Sequence, residues 1–358
     1  MRKLWLVAGV GVAWLVTFIV MGGSVLPALS SDSPHSKASS TPGAGAAPST
    51  TPTSPVVSTP TSTPTGRASS GPGKLAVDAE ALANAKTVAG STLQARPVQR
   101  RSTPPALDFR MATYNALGAS HTVHNRKRGP GAARMATGAQ YVLDHDFSIV
   151  GFQELQAVQR ATFMSETTDK FGLFPGGTKP SGDGDTSIAY RLDTWKLISA
   201  TTIPMPYFYG ETRNLPILLL RNKQTGIKAY FTNFHNPADV HGPAAKWRAI
   251  DKTKQIALFK NLEKSGYPVF VTGDMNEHRT WACSIVGPDD MRMAAGGDGR
   301  NGCTVQTNRI IDWIGASYDV TFSNYVEDRS PLVASITDHP IISTDVRIDS
   351  RDFPKSVS

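Results

Sequence analysis

Residues 267–280 read YPVFVTGDMNEHRT, an apolar, β-branched run that stops abruptly in Gly-Asp-Met-Asn. A run such as PVFVT reads as a strand covered on both faces, since burial on both sides removes the alternation that a half-exposed strand keeps. Gly273 then predicts a sharp turn as the chain leaves its sheet. Asp274 and Asn276 therefore fall at the C-terminal edge of a strand. Taken alone, the pair fits a plain turn equally well, because Asp and Asn readily bond their own backbone. The rest of the chain has to decide.

The same ending recurs along the chain. FRMATYN ends at Asn115, FSIVGFQE at Glu154, IKAYFTNFH at His235 and RIID at Asp312, while SITDHP brings Asp338 and His339 ahead of a last strand, PIISTDVRI. Between these runs, ARMATGAQYVLDHD and PAAKWRAIDKTKQIALFKNLEKSG have the length and periodicity of helices lying outside sheets. LPILLLRNKQTGIKAYFTNFH reads as a hairpin turning at Lys223 to Gly226. Carboxylates, amides and imidazoles repeated at strand ends predict one convergent polar site. Their oxygens are hard donors without thiolates, which suits Mg2+ or Mn2+. Two histidines and a carboxylate able to orient a nucleophile suit hydrolysis of a phosphate ester.

Composition divides the 358 residues unevenly. In residues 1–30, Arg2 and Lys3 precede the uncharged run LWLVAGVGVAWLVTFIVMGG, about the 20 apolar residues that span a bilayer. The flanking charge predicts a single-pass anchor with everything after it exported to the cell surface; a cleaved signal peptide and a secreted protein are the alternative. Residues 31–104 are dominated at first by Ser, Thr and Pro, with too few large apolar groups to offset the entropy of ordering, and read as a tether; a short helix is expected around Val77 to Thr87. One domain, 105–349, is left to build a core, followed by a tail at 350–358. Cys283 and Cys303 are the only cysteines, and export predicts that they are bridged; free thiols or a metal-binding role are the alternatives. A net charge of +8 suits an anionic partner, whether nucleic acid, phospholipid headgroups or wall polymer.

Taken in order, TYN at Asn115, GFQE at Glu154, TSIAYR at Arg191, NFHNP at His235, GDMN at Asp274 and Asn276, RIID at Asp312, and TDHP at Asp338 and His339 resemble the endonuclease/exonuclease/phosphatase superfamily. Pancreatic-type DNases, apurinic-site endonucleases, bacterial sphingomyelinases and inositol-polyphosphate phosphatases belong to it. The resemblance spans 105–349 and implies an α/β fold of DNase I type, a four-layer α/β/β/α sandwich with two mixed β-sheets packed face to face and helices outside. Met275, Thr337 and Phe234 depart from the residues common at those positions, without removing a ligand or a catalytic group.

The resemblance also implies roles. Glu154 holds a divalent ion, Mg2+ with Mn2+ or Ca2+ as alternatives, and Asn115 and Asp338 complete or support that shell. Asp274 orients and deprotonates the attacking water, and Asn276 holds a phosphate oxygen. His339, its ring fixed by Asp312, bonds the phosphate or positions the nucleophile. His235 stabilises the phosphate or protonates the leaving oxygen. Arg213 is a phosphate-binding candidate and Asp185 a candidate partner for a histidine. Arg126, Lys127, Arg128 and Arg134 form a basic cluster able to grip a nucleic-acid backbone. The activity expected is metal-dependent phosphodiester hydrolysis on nucleic acid, with membrane contact through the N-terminal run and no protein partner. A sphingomyelinase-like activity, for which PMPYFYG at 204–210 would dip into a bilayer, and a catalytically silent surface module are the competing expectations.

Overall fold

The computed structural model describes residues 105–357 apart from 125–126, 178–183, 290, 301 and 306–308. The expected anchor or signal peptide, the tether with its short helix, and Arg126 lie outside the described residues. Among those residues no helix is long and apolar enough to cross a membrane.

Elements are numbered in chain order. One sheet contains β1 (Ala106–Asn115), β2 (Ile149–Gln153), β3 (Phe171–Phe174), β4 (Ser187–Arg191), β11 (Thr321–Asp328) and β12 (Ile341–Asp349). Its strand order is β11-β12-β1-β2-β4-β3. The other contains β5 (Trp195–Pro206), β6 (Thr212–Asn222), β7 (Lys228–His235), β8 (Val269–Asp274), β9 (Met291–Met293) and β10 (Asp312–Ser317), in the order β5-β6-β7-β8-β10-β9. Both sheets are mixed, β1 running parallel to β2 and β7 parallel to β8 among antiparallel neighbours. Helices α1 (Gly131–Asp144), α2 (Ala157–Thr167) and α5 (Pro331–Ile336) accompany the first sheet, and α3 (Ala245–Glu263) and α4 (Arg279–Asp289) the second. This is the α/β sandwich expected from the sequence.

Strand periodicity sorts the side chains. On β1, Leu107, Phe109 and Met111 enter the core between the sheets, whereas Ala112 and Tyr114 join Met135, Ala139 and Phe163 in the core beneath α1 and α2. The interior between the sheets is graded along the strands. At one level Phe109 meets Trp195, Phe231 and Phe270 edge to face. Further along, Gln153 donates to Asn233 Oδ1 at 2.7 Å, Thr272 donates to the same atom at 3.1 Å, and Asn233 Nδ2 donates to the Phe152 carbonyl at 2.7 Å. The two bonds between Asn233 and β2 cross from one sheet to the other, and that from Thr272 ties Asn233 to its own neighbour strand. Gly151 lets the sheets approach there, since a Cβ on it would lie 2.0 Å from Thr272 Oγ1.

Gly273 does not turn the chain, contrary to the sequence-based expectation. It stays inside β8, paired with Phe234 and Trp313, and a Cβ there would sit 2.3 Å from the Phe234 carbonyl oxygen. Its neighbour strand demands the glycine; the reversal falls at Asn276, with φ at 49°. Cys283 and Cys303 are bridged, as expected, with Cα atoms 5.3 Å apart, fastening α4 to the segment ahead of β10. Residues after β12 pack back on the domain, Phe353 entering the core.

Helix α3 buries Arg248, Asp251, Gln255 and Phe259, a stripe at helical spacing that is mostly polar. Gln255 accepts from Trp281 Nε1 at 2.8 Å and donates to Asn236 Oδ1 at 2.9 Å. Asp251 differs, because both of its carboxylate oxygens are buried without a hydrogen-bond partner among the described residues. Burial pushes its carboxyl up to about 8, Lys254 opposing and Glu277 adding to the shift. Between roughly pH 4 and 8 the folded chain thus holds a proton that the unfolded chain has released, and stability falls as pH rises through that window. Asp251→Asn should remove this dependence and stabilise the protein at pH 8.5 by roughly 1–3 kcal/mol, the usual cost of an unsatisfied buried polar group. Urea midpoints at pH 4 and 8.5 check it: the variant's advantage should appear only at the higher pH.

Candidate active site

Three adjacent strands bring their polar ends into one row. β7 and β8 are parallel, so His235 lies opposite Asp274; β10 is antiparallel to β8, so Asp312 lies opposite Asp274 on the other side. RIID does not end a strand as expected, because Asp312 opens β10 instead. The reversed direction of β10 still delivers it to the same edge. From the other sheet, Asn115 is the last residue of β1 and pairs with Gln153, so that Glu154 follows at the same level with φ at 55°.

Hydrogen bonds join the two sets. Asn115 Nδ2 donates to Asp274 Oδ2 at 3.1 Å and to Glu154 Oε1 at 3.2 Å, while its Oδ1 accepts from the Leu117 amide at 3.0 Å. Glu154 Oε2 accepts from the Gly118 amide at 2.8 Å and stands 2.9 Å from His121 Nδ1. His339 Nδ1 lies 2.9 Å from Asp312 Oδ2, and its Nε2 is 3.8 Å from Asp274 Oδ2. His235 Nε2 is 3.7 Å from that same oxygen, and its Nδ1 is buried with no partner among the described residues. The Asn276 amide donates to Asp274 Oδ1 at 2.9 Å, and Asn276 Nδ2 to the Asn236 carbonyl at 2.8 Å. Thr337 Oγ1 donates to the Asn115 carbonyl at 2.6 Å and accepts from the His339 amide at 3.2 Å, fixing the TDHP turn against β1. Asp274, though it lies at a strand's polar end, is 2% exposed. It is covered by Asn115, His235 and His339, all near its Oδ2.

The two histidines are driven apart electrostatically. Burial lowers the pKa of His235; Asp274 and Glu154 resist, while Arg213 and His339 push the same way as burial, so its imidazole is held neutral. Burial opposes charge on His339 too, yet Asp312 beside it, with Asp274 and Asp338, reverses the effect and raises it to about 10. Asp274 is raised from the usual carboxylate value by burial and by Asp312, against the pull of both histidines and the Asn276 amide. For Glu154 burial works upward, but His235, the Gly118 amide, His121 and Asn115 outweigh it and keep the group anionic.

One grouping and one further carboxylate could take a cation. Asp274, Asp312 and His339 offer donor atoms within 4.8 Å of one another, but His339 Nδ1 is already engaged with Asp312. Glu154 is the other candidate ligand, an oxygen donor toward which Asn115 turns its Nδ2, while Asp338 is exposed in the TDHP turn. The anionic carboxylate of Glu154 fits a hard divalent ion.

Several expected residues lie elsewhere. Arg134 is buried and donates to the carbonyls of Ala116, Leu117 and Ile336 at 2.7–2.9 Å. Arg128 donates to the Ala334 carbonyl at 3.0 Å and also to that of Thr337. Both therefore clamp the turns that follow Asn115 and precede Asp338, and are not available as a surface grip; Lys127 is exposed. Asp185 pairs with Arg160 at 2.9 Å and not with a histidine. Arg191 stands at the far end of β4 from Ser187, which pairs with Phe152 and whose carbonyl accepts from Asn233 in the layer beneath the site. Arg213 lies with its guanidinium 3.7 Å from the centroid of Tyr207, whose ring is 5.8 Å from that of His235. Tyr207, His121 and Asn236 were missed by sequence reasoning. NFHNP does contain Asn236, but nothing in it distinguishes a residue beside the site from a turn residue.

No protein-family model matches the sequence, nor does any curated protein. Solved structures do share its fold. An endonuclease/exonuclease/phosphatase family protein from Bacteroides thetaiotaomicron superposes with a TM-score of 0.55 at 20% identity, over 70% of this chain and 98% of that one. A mannosyl-6-phosphatase from Bacteroides thetaiotaomicron gives 0.53 at 20% identity, over 66% and 99%. The catalytic domain of human Nocturnin, with a bound sulfate anion, gives 0.52 at 16% identity, over 68% and 97%. The sandwich seen here is the fold of these proteins, the one implied by the motifs.

The Arg134 clamp is open to test. Arg134→Met removes the guanidinium from three carbonyls, of which those of Ala116 and Leu117 keep Gln159 Nε2 at 2.9 and 3.1 Å, and should cost on the order of 2 kcal/mol in stability, measured by urea unfolding. If Arg134 instead gripped a nucleic-acid backbone, the variant would unfold normally and show a shallower salt dependence of binding.

Proposed function

We propose that the chain is a divalent-metal-dependent phosphoric ester hydrolase and, within that class, a phosphodiesterase that cuts nucleic acid. The observation that carries this reading is the setting of Asp274, a buried carboxylate of raised pKa faced by one neutral and one charged imidazole. Such a carboxylate is a competent base for water near neutral pH. Water gives its proton to Asp274 as its oxygen attacks phosphorus; the ester P–O bond breaks, and the leaving oxygen takes a proton from solvent. His339 enters charged and donates a hydrogen bond to the phosphoryl oxygen on which negative charge grows. Asp312 keeps that ring oriented and charged. His235 enters neutral, so it orients the phosphate through its N–H and is a poor proton donor. Asn276 and Arg213 offer further donors to the phosphate oxygens.

Glu154 and Asp338, with Asn115 alongside, would hold the metal ion, Mg2+ with Mn2+ or Ca2+ as alternatives, which when bound supplies positive charge to the phosphoryl oxygens. Nucleic acid is favoured as substrate by the net charge of +8. Export is supported by the Cys283–Cys303 bridge, since such bonds persist in oxidising compartments, and by the apolar run at 4–23 that reads as an anchor or a signal peptide. Purified protein given plasmid, RNA and sphingomyelin vesicles with each metal separates the substrate classes. Silence on every phosphodiester would favour a binding module.

Asp274→Asn and His339→Ala should each lower turnover roughly 10²- to 10⁴-fold, as loss of a positioned acid or base does, while far-ultraviolet circular dichroism stays unchanged. The pH profile carries signs fixed by the shifts. Asp274 has to be ionised and is raised, so the acidic limb should lie above the ordinary carboxylate value of 3.8. His339 has to be charged and is raised to about 10, so the alkaline limb should lie far above 6.5. Asp312→Asn should pull that alkaline limb down; an unmoved limb would detach His339 from it.

Glu154→Gln keeps the shape of the side chain and loses its charge. Turnover against metal concentration should shift to higher metal and recover in part at saturation. An unchanged titration would move the ion to the Asp274, Asp312 and His339 grouping.

A further inference from the structure

Tyr207 opens an aromatic wall that leads out of the site. Its ring lies tilted against Phe208 at 4.3 Å between centroids and 57°, Phe208 meets His241 edge-on at 4.6 Å, and His241 lies tilted to Tyr209 at 6.2 Å and 38°. The wall joins the tip of the β5–β6 hairpin to the loop after β7. Tyr209 is 74% exposed and holds φ at 56°, a conformation that a side chain with a Cβ disfavours. Gly210 behind it, with φ at 81°, lies so close to Trp247 that a Cβ would sit 2.8 Å from the indole. The tip is thereby packed down on Trp247, and Tyr209 is turned outward against its own backbone preference. Strain of this kind gathers at ligand sites.

We propose that Tyr209 and His241 form a stacking subsite for a planar ring, a nucleobase flanking the scissile phosphate. The inference rests on the phosphodiesterase reading for its neighbouring phosphate and adds what lies beside it. Every base has a π face, so such a platform binds single strands with little regard to sequence. Arg213, over Tyr207 between platform and His235, is placed to meet the connecting backbone. A bilayer wedge fits less well. Met205 and Tyr207 of the same segment are buried, and Tyr209 and Val240 alone among its neighbours stand out as large apolar groups, too few for a wedge.

The test is equilibrium binding by the full chain of a fluorescent (dA)4 strand and of an abasic strand of equal length, read by anisotropy. The native chain should bind (dA)4 roughly 5- to 100-fold tighter than the abasic strand, the range of one stacked base. Tyr209→Ala and His241→Ala should each erase most of that preference, whereas Tyr209→Phe should keep it. Equal binding of the two strands by the native chain, or a preference untouched by Tyr209→Ala, would overturn the proposal. So would a loss confined to binding of phosphatidylcholine/phosphatidylserine vesicles, which would mark a membrane wedge. Failure to cleave any phosphodiester would count against the hydrolase reading alone, since the strand preference is read without turnover.

Discussion

One amide holds the two halves of the site together. Asn115 ends a strand of one sheet and gives its two N–H groups to carboxylates on different sheets, Glu154 on its own side and Asp274 across the gap. Without that donor, two acidic groups would face each other in a nearly dry space, and one of them would have to take up a proton. With it, Asp274 is held in place, and Asn115 joins His235, the Gly118 amide and His121 in keeping Glu154 anionic. The amide in turn is immobilised, its oxygen by the Leu117 amide and its backbone carbonyl by Thr337. Arg134 fixes the next two carbonyls, so a buried cation with no contact to a substrate sets the position of the residue on which both carboxylates depend.

The interior between the sheets explains why the site lies at one edge only. Along the strands it passes from aromatic rings, through the Gln153, Asn233 and Thr272 amide and hydroxyl layer, to the row of His235, Asp274 and Asp312. The middle layer matters because a charged row laid directly on hydrocarbon would have no donors beneath it. The amides are fully paired with one another and with strand carbonyls, so they bind the sheets in one register and tolerate charge above them. A slip of one residue in β8 would turn Asp274 to the other face and bring Met275 into the row.

Much of this could be read in the sequence because strands terminate visibly. Asn115, Glu154, His235 and Asp274 were each marked by an apolar run breaking into a polar residue, and the order of those breaks carried the fold. What could not be read was relational. Whether Asp312 begins or ends its strand depends on the direction in which β10 pairs, and its short run looks alike either way. Arg128 and Arg134 sit in a basic stretch, but their partners are backbone carbonyls, which leave no mark in a sequence. The burial of Asp274 is likewise a property of what covers it, namely Asn115 and two histidines contributed by segments far apart in the chain.

The division of labour between the histidines follows from the same covering. Both rings approach the same oxygen of Asp274 at nearly equal distances, so Asp274 cannot be what separates their charge states. The difference is Asp312. It touches His339 alone, and by that contact converts a ring that burial would neutralise into a cation, while His235 keeps the neutral form that burial dictates and is pressed further that way by Arg213 and by His339 itself. Two imidazoles flanking one carboxylate could not both be charged without lowering its pKa. Placing Asp312 on only one side leaves a charged imidazole, a neutral imidazole and a carboxylate of raised pKa within the same few ångströms, from residues whose types alone would not distinguish them.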